Sequence, residues 1–562
     1  MVTSAHLKVD TVKGRRYARI VRSVREGTHV HSETLVQLGL VTLDQEQVLR
    51  DALARRPIVA TSLSGLLERL PIRKRRTLQY GREALGHVLW RRLGLPTLVI
   101  ECLNGMSGKA RTAQLIETMV VSRLCDPTSK LGILDWLKIS ATPMLLGYAG
   151  RSLHDNHLYR AMDALWSRKD LLERRLFERV VRPTTRSPMV LCHDLTSSYY
   201  EGEGGPLAQF GYSRDHRGDR PQITWGMVVT PEGLPITMQV YPGNTTDNTT
   251  VVAMRERLTE VFGLREGIYV GDRGMKSREV LEDLHAHGFH YILAETNRNV
   301  EEILDAARRR PPVAVGHQNV AREVVGEDGR RFIVLLNEER RKTELEVLER
   351  RIAQGSAIVE EIRRGWAKRP STHHHQLLKQ AQATLAAKGL SDLFELDWDE
   401  DSYQGLVAPL KARVARARRE AGWWVLTTDT ALPAEEVVRL YTGLAVIEAG
   451  WRELKSGLEV RPLRHRLDRR VEAHLLICVL AYLLEKFLER ELRAHNLLEG
   501  RVPWTGPRAI SKFVNLTADE QVVGEGGPTR WVFTELEATH REILQAAGLD
   551  SERFQQGWGR LR

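Results

Sequence analysis

The 562-residue sequence has few cysteines. The four that it contains, Cys102, Cys125, Cys192 and Cys478, lie far apart and form no Cys-X-X-Cys pair. This absence argues against a cysteine-ligated zinc site, and it fits a reduced, cytoplasmic protein rather than a disulfide-bonded one.

Long hydrophobic runs are also missing. No apolar stretch approaches the roughly 20 residues that cross a bilayer. The first residues, MVTSAHLKVDTVKGRRYAR, lack the apolar segment of a signal peptide. Hydrophobic residues make up 42% of the chain and charged residues 28%, which is ordinary for a globular protein. We therefore expect no membrane-embedded part.

Acidic residues are outnumbered by basic ones, and the net charge is +11. Arginine is far commoner than lysine. A basic balance favours a polyanionic partner, but an excess of this size also fits a basic enzyme without one. Local patches of charge are therefore more informative than the total.

The pattern of apolar and polar residues changes several times along the chain. Apolar and polar residues first alternate as in strands, then follow helical spacing that includes the basic run RKRR at 73–76, and after Pro188 form short strands alternating with helices. The basic run is either a solvated helix face or a DNA-contacting surface. We divide the chain into a β-rich module (1–60), a helical DNA-binding region (61–185), the first part of an α/β core (186–299), an insertion with a hairpin and a long charged helix (300–418), the second part of the core (419–495) and a helical tail (496–562).

Three carboxylates stand at comparable places in the predicted core. Asp194 follows the apolar run MVLC, Asp272 ends the strand GIYVG, and Glu448 lies in the helix after a third strand. A carboxylate left desolvated costs several kcal/mol, so each needs a partner. Carboxylates gathered at strand ends and on a facing helix can hold two divalent cations about 3.5–4 Å apart, and Mg²⁺ suits oxygen ligands.

Taken singly, each of these carboxylates could be an ordinary strand-end or turn residue. Together their order is informative: a strand with Asp, two strands, a helix, a strand with Asp, a later strand, and a helix with Glu. This is the connectivity of a ribonuclease-H-like nucleotidyl-transfer fold, an α/β class with a mixed sheet flanked by helices. His193 would point away from Asp194 across the strand, and we leave it out of the ligand set.

The Glu448 helix carries a second pattern. Tyr441, Leu444, Glu448 and Lys455 have spacings that place them on one face of a continuous helix. Such a face suits a surface beside a phosphate backbone. The arginine-rich stretch RPLRHRLDRR at 461–470 follows, either as a phosphate-contacting segment or as a solvated loop.

At these residues the sequence resembles the DDE transposases of bacterial insertion sequences, in the cut-and-paste group with the Y-R-E-K signature. That signature is matched by Tyr441, Glu448 and Lys455, with Leu444 in the arginine position, for which Arg452, one turn beyond Glu448, could substitute. The segments HDLTSSYYEG, GDRGM, IEAGWRELKSGLEVRPLRHR and AHLLICVLAYLLEKFLE carry the resemblance.

The resemblance implies that Asp194, Asp272 and Glu448 are the catalytic residues and the ligands of two Mg²⁺ or Mn²⁺ ions. It implies double-stranded DNA as the partner: terminal inverted repeats are bound, a 3′-hydroxyl is freed and joined to target DNA, and a homodimer works in the synapse. The location would be the bacterial cytoplasm, at the nucleoid. The DNA-contacting residues would be Tyr441, Arg452, Lys455, Arg461, Arg464, His465 and Arg466.

Two other functions stay open at this point. One is a metal-dependent nuclease of the same fold that cuts without strand transfer. The other is a non-catalytic DNA-binding derivative of a transposase, although the complete set of three carboxylates argues against it.

Overall fold

The structure is a computed structural model of the whole chain. It describes residues 5–12, 14–26, 29–54, 72–148, 152–185, 188–295, 300–315, 319–326, 329–367, 374–399, 404–409, 411–523 and 529–557. In this part of the chain no helix is long and apolar enough to cross a membrane. Its four cysteines are buried and unpaired.

Strands occur along the whole chain. They are β1 (Ala5–Val12), β2 (Arg15–Glu26), β3 (His29–Leu40), β4 (Ile72–Gln79), β5 (Val190–Tyr199), β6 (Gln222–Val229), β7 (Pro235–Pro242), β8 (Gly267–Gly271), β9 (Phe289–Ala294), β10 (Val313–Ala314), β11 (Asn319–Val325), β12 (Arg331–Asn337), β13 (Phe394–Asp399), β14 (Gln404–Pro409), β15 (Trp423–Thr428), β16 (Leu498–Glu499), β17 (Val502–Pro503), β18 (Thr517–Val523) and β19 (Thr529–Phe533).

The helices fall mainly in three stretches. They are α1 (Leu43–Ala54), α2 (Gly81–Arg92), α3 (Leu95–Cys102), α4 (Lys109–Cys125), α5 (Lys130–Ile139), α6 (Thr142–Leu145), α7 (Asp155–Trp166), α8 (Lys169–Leu176), α9 (Asp247–Glu260), α10 (Arg278–Ala286), α11 (Val300–Arg308), α12 (Glu338–Ala367), α13 (His374–Ala387), α14 (Lys411–Glu420), α15 (Ala434–Thr442), α16 (Ala445–Arg452), α17 (Asp468–Ala494), α18 (Gly506–Ser511), α19 (Ala538–Ala546) and α20 (Ser551–Gln555). Shorter π or 3-10 turns occupy Phe177–Val181, Arg182–Thr184, Arg273–Met275, Glu453–Gly457 and Lys512–Asn515.

The chain forms two compact units. The first comprises Met1–Pro183, Ser197–Ile223 and Gly450–Arg562, and the second comprises Thr184–Thr196 and Thr224–Ala449. The six-part division drawn from the sequence stays a prediction.

The second unit is built on a mixed sheet. Within the described residues this sheet has nine strands in the order β10-β11-β12-β15-β9-β8-β5-β6-β7. β5, β8 and β9 run parallel, while β15, β12 and β11 continue the sheet antiparallel. Strands β6 and β8 are buried along their whole length, as their largely apolar sequences favour. Helices α11 and α15 pack on the strands. The order of elements agrees with the sequence prediction.

The predicted insertion is not separate from the sheet. Its hairpin, β11 and β12, pairs with β15 and so extends the central sheet, because the apolar face of an isolated hairpin would stay exposed. The remainder forms a small cluster in which Leu348 and Val359 of α12 pack with Leu385, Phe394 and Val414.

The first unit is mainly helical, and α17 is its central element. This helix is buried over most of its length and packs against α4 and α7. At the N-terminal end, β1, β2 and β3 form an antiparallel three-stranded sheet with α1 beside it.

Two sequence predictions for this unit are wrong. The run RKRR at 73–76 lies on β4 and not on a helix, because β4 pairs with β18 from the other end of the chain. The predicted helical tail accordingly contains two strands, β18 and β19, of a sheet ordered β19-β18-β4. The basic run faces acids of that partner strand: Lys74 pairs with Asp519 at 2.9 Å and Arg75 with Glu520 at 3.5 Å.

Candidate active site

The register of two parallel strands brings Asp194 and Asp272 to the same level. Cys192 on β5 pairs with Val270 on β8, and each aspartate lies two residues further along its strand direction. An offset of two returns to the same face of a sheet, and neighbouring strands are about 4.8 Å apart. Asp272 directly follows β8, but Asp194 lies inside β5, which continues to Tyr199, so the prediction that Asp194 ends its strand is wrong. Both carboxylates are half-buried. The register is what brings them together, since a slip by one residue would turn one aspartate to the opposite face of the sheet.

His193 lies on the opposite face, as expected. Its ring is fully buried and makes a hydrogen bond to the Tyr269 hydroxyl, and burial lowers its pKa to about 3. A Cβ atom at Gly226 on the neighbouring strand would lie 2.7 Å from His193 Nε2, so only glycine fits there. The ring is a neutral core group and takes no part in the candidate site.

Asp272 also has a local structural role. Its Oδ1 accepts a hydrogen bond of 2.9 Å from the backbone amide of Gly274 and caps the turn Arg273–Met275. A cap uses one acceptor position of the carboxylate and leaves others for a ligand. Asp272 can therefore cap the turn and still serve as a candidate ligand.

Glu448 and Tyr441 are not on one helix, so the prediction of a single continuous face is wrong. α15 ends at Thr442 and α16 begins at Ala445, and a π-helical turn, Glu453–Gly457, holds Lys455. Gly443 and the buried Leu444 form the break. Glu448 is exposed in the first turn of α16. Tyr441 is placed by the packing of α15 on β8 and β9.

A cavity of about 810 Å³ in the second unit is lined by Asp194, Asp272, Glu448 and Tyr441. Burial, reinforced by the negative charges of Asp272, Glu448 and Asp194, raises the pKa of the Tyr441 phenol to about 12. The phenol is therefore neutral and can donate a hydrogen bond at physiological pH. Its ring lies 5.5 Å from that of Trp424, another residue of the cavity wall.

Three other carboxylates of the wall have basic partners. Glu295 pairs with Lys276, Glu344 pairs with Arg340 at 2.7 Å, and Glu420 pairs with Arg416 at 2.6 Å. These groups are compensated within the protein, so the wall offers matched controls for the candidate ligands.

The donor set fits divalent cations that prefer oxygen, because three carboxylates face one cavity. Within the described residues, however, no group of three His, Cys, Asp or Glu side chains is already close enough to hold an ion.

One carboxylate beside the site was missed in the sequence. A Cβ atom at Gly274 would lie 2.8 Å from Asp247 Oδ2 and 3.3 Å from Asp272 Oδ1, so the two side chains flank this glycine. Asp247 begins α9. Because Asp247 and Asp272 are far apart in the sequence, the sequence did not indicate that their side chains lie close together.

The predicted DNA-contacting residues other than Tyr441 lie in the first unit, and several already have protein partners. Lys455 Nζ lies 2.7 Å from Asp215 Oδ1, and Arg461 Nε lies 3.1 Å from the same oxygen. The Asp215 side chain is only 2% exposed and that of Lys455 only 10%. Sequence analysis did not identify Asp215, since nothing in a loop marks a partner 240 residues away.

The remaining four predicted DNA-contacting residues differ in how accessible they are to solvent. Arg464 pairs with Glu201 at 2.7 Å but stays exposed, and Arg452 and Arg466 are exposed. His465 is packed between Tyr159 and His474, and burial lowers its pKa to about 3. Its ring is neutral, so it lacks the charge that a phosphate contact would use.

Comparison with known proteins identifies one family. Residues 185–484, more than half of the chain, match the family profile described as "Transposase DDE domain". No curated protein matches the chain. Among solved structures, one similar chain is that of "Cryo-EM structure of piggyBac transposase synaptic complex with hairpin DNA", with 8% identity, 76% of this chain and 79% of that chain covered, and a TM-score of 0.36. A similarity this low supports no argument.

Proposed function

This chain belongs to the transposase DDE domain family, and we propose that it is a DDE transposase that cuts DNA at the terminal inverted repeats of its element and joins the freed 3′-hydroxyl to target DNA. Asp194, Asp272 and Glu448 are the proposed catalytic residues and ligands of two Mg²⁺ or Mn²⁺ ions. A ribonuclease-H-like core is the fold that this assignment implies.

The observation that carries the proposal is the arrangement around Tyr441. Two aspartates at equal positions of adjacent parallel strands share one cavity with a glutamate from a following helix. Bound divalent ions would polarise the phosphodiester and activate the attacking water or hydroxyl. The neutral phenol of Tyr441 donates a hydrogen bond to a phosphate oxygen in this scheme, since its pKa of about 12 keeps the proton in place.

The DNA strand on the first unit would be held by cations that stay accessible. Arg452, Arg464 and Arg466 meet that condition, whereas Lys455 and Arg461 would have to leave Asp215 to bind a phosphate. Such exchange is unfavourable because it leaves a buried carboxylate uncompensated. We therefore assign Lys455 and Arg461 a supporting role and keep phosphate contact for the exposed arginines. A homodimer in the synapse is part of the proposal.

The test is an incubation of the purified chain with Mg²⁺, a plasmid target and a labelled duplex carrying the element's end. Wild type runs beside Glu448→Gln, with Glu420→Gln as the control, because Glu420 lines the same cavity but is paired with Arg416. Joined product from wild type and Glu420→Gln, and none from Glu448→Gln, is expected.

Other outcomes separate the alternatives. Cleavage without joining would identify a nuclease. Binding without either reaction would identify a non-catalytic derivative. Joining by Glu448→Gln at the wild-type rate would remove Glu448 from the ligand set.

A further inference from the structure

The loop between β5 and β6, residues 201–221, exposes two aromatic side chains. Phe210 is 65% exposed and Tyr212 is 81% exposed, the highest values among the aromatic side chains that the structure describes. Only Gly211 separates them. Aromatic rings of this size usually bury about 150–250 Å² of surface, so two such rings in solvent are unexplained by folding.

The backbone that carries these rings is firmly held. Gln209 and Gln222 exchange two backbone hydrogen bonds of 2.9 and 3.0 Å, and the Gln222 side chain donates to the Tyr212 carbonyl at 2.9 Å. The Arg214 amide donates to Ser197 Oγ at 2.9 Å. The rings therefore project from a fixed platform and not from a loose loop end.

A buried ion-pair cluster fixes the far side of the loop. Asp215 accepts from Lys455 at 2.7 Å and lies 3.1 Å from Arg461 Nε. His216, next in sequence, has a φ of 56°, which costs energy in a residue other than glycine. The ion pairs tie the residues just after Tyr212 to the segment that holds Lys455 and Arg461.

Cations accompany the two rings. The loop contains three arginines, Arg214, Arg217 and Arg220, and four acids, of which Glu201, Asp215 and Asp219 are held in ion pairs with basic side chains. The Arg214 guanidinium lies 6.0 Å from the centre of the Tyr212 ring, so a cation accompanies the most exposed ring. Flat apolar faces beside cations are what unpaired nucleotides require, since bases stack on the rings and phosphates meet the cations.

We propose that Phe210 and Tyr212 form a stacking platform for unpaired bases of a DNA end, with Arg214 beside the adjoining phosphate. This inference rests on the proposed function for the identity of the DNA. It adds a step that the three carboxylates cannot perform, because ligands of a metal ion do not hold a base out of the duplex.

The experiment compares three labelled probes on the full chain: a duplex end, the same end with a short unpaired 3′ extension, and the single strand. Fluorescence anisotropy measures affinity, and a 2-aminopurine in the extension reports stacking through quenching. The variants are Phe210→Ala with Tyr212→Ala, the ring-preserving Tyr212→Phe, and Val325→Ala as an exposed apolar control on β11 of the second unit.

The double alanine variant should lose affinity for the unpaired probes by roughly 10-fold or more, at about 1–3 kcal/mol per stacked base. Its affinity for the duplex should change by less than about twofold, and quenching should disappear. Tyr212→Phe and Val325→Ala should behave as wild type.

Equal losses on all three probes, or unchanged quenching in the double variant, would overturn the inference. A change in the sedimentation of the DNA-free protein would assign the rings to a contact between copies of the chain, and would overturn it too. If instead the proposed function fails, the wild type cleaves no probe with Mg²⁺, but the differences in quenching between the variants persist.

Discussion

The carboxylates of the cavity and the cations of residues 452–470 were both identified from short motifs, yet their surroundings differ. Asp194, Asp272 and Glu448 share one cavity and surround a neutral tyrosine. In the basic segment, Lys455 and Arg461 compensate one buried carboxylate. A motif thus locates a side chain more reliably than it locates that side chain's partner.

The reason for the difference is how each group is placed. Strand register positions the two aspartates, and register follows from local apolar runs that any reader of the sequence can see. The shared partner of Lys455 and Arg461, Asp215, comes from a loop more than two hundred residues earlier. Ion pairs of that kind depend on the whole fold, and the sequence around Lys455 contains no trace of Asp215.

The largest expected effect concerns the carboxylates of the cavity. Asp194→Asn removes a negative charge from the proposed metal site and should lower Mg²⁺-dependent cleavage by roughly 10³-fold or more, because metal-ion catalysis supplies several kcal/mol. DNA affinity and thermal unfolding should stay near wild type. Gel-based cleavage rates over a range of Mg²⁺ concentrations measure it, with chelator-treated wild type as a second inactive sample. Full activity in Asp194→Asn would exclude this residue from the site.

The next effect tests the basic side. Asp215→Asn leaves Lys455 and Arg461 without their shared carboxylate, and should destabilise the first unit by about 3–5 kcal/mol. Glu201→Gln, which removes the partner of the exposed Arg464, should cost less than about 1 kcal/mol. Denaturant unfolding compares the two. Equal stabilities would show that the ion pairs of Asp215 contribute no more to folding than the exposed pair of Arg464 and Glu201.

A smaller effect concerns a buried amine next to the basic segment. Lys130 is 4% exposed, and burial together with the nearby Arg123 lowers its pKa to about 7. The unfolded chain keeps the amine near its usual pKa of 10.5 and so binds a proton that the folded chain lacks between pH 7 and 10.5. The resulting penalty is complete below pH 7 and vanishes above pH 10.5.

Lys130→Met should therefore stabilise the protein by about 1–4 kcal/mol at pH 7, with the gain disappearing as the pH approaches 10.5. Unfolding midpoints of the variant and the wild type, measured between pH 7 and 10.5, test this prediction. A gain that does not depend on pH would mean that improved packing, and not removal of the charge, is responsible. Lys138→Met, at an exposed position of the same helix, serves as the control.

The smallest effect separates exposed from paired arginines. Arg466→Gln should reduce DNA affinity modestly and lower the dependence of log K on log salt by about one, the value for one lost phosphate contact. Arg470→Gln, whose guanidinium is held by Asp163 at 2.9 Å, should leave that slope unchanged. Titrations at several salt concentrations measure both. A lower slope for Arg470→Gln together with an unchanged slope for Arg466→Gln would contradict the assignment of Arg466 as an accessible phosphate contact.

Much of the second unit could be predicted from sequence, because its strands are short apolar runs bounded by breakers and their order follows the chain. The mixed sheet flanked by helices and the position of Asp272 at a strand end come directly from that pattern, whereas the continuation of β5 beyond Asp194 to Tyr199 was not anticipated. The break at Gly443 was not anticipated, since Tyr441, Glu448 and Lys455 fit helical spacing whether or not the helix continues. The strand character of 73–76 was hidden as well, because four basic residues in a row form a strand only when acidic residues on a partner strand compensate them.

That partner strand has a consequence for how the protein is made. β4 and β18 are joined across an interval of 444 residues between Arg76 and Glu520, so the ribosome completes one strand long before its neighbour exists. At about 5–20 residues per second, the wait is about 20–90 s. During this time the second unit can emerge entire, whereas the first unit stays incomplete until nearly the last residues leave the tunnel. A nascent chain that stalls before residue 517 would present an unpaired basic strand, and it would be the state most in need of a chaperone.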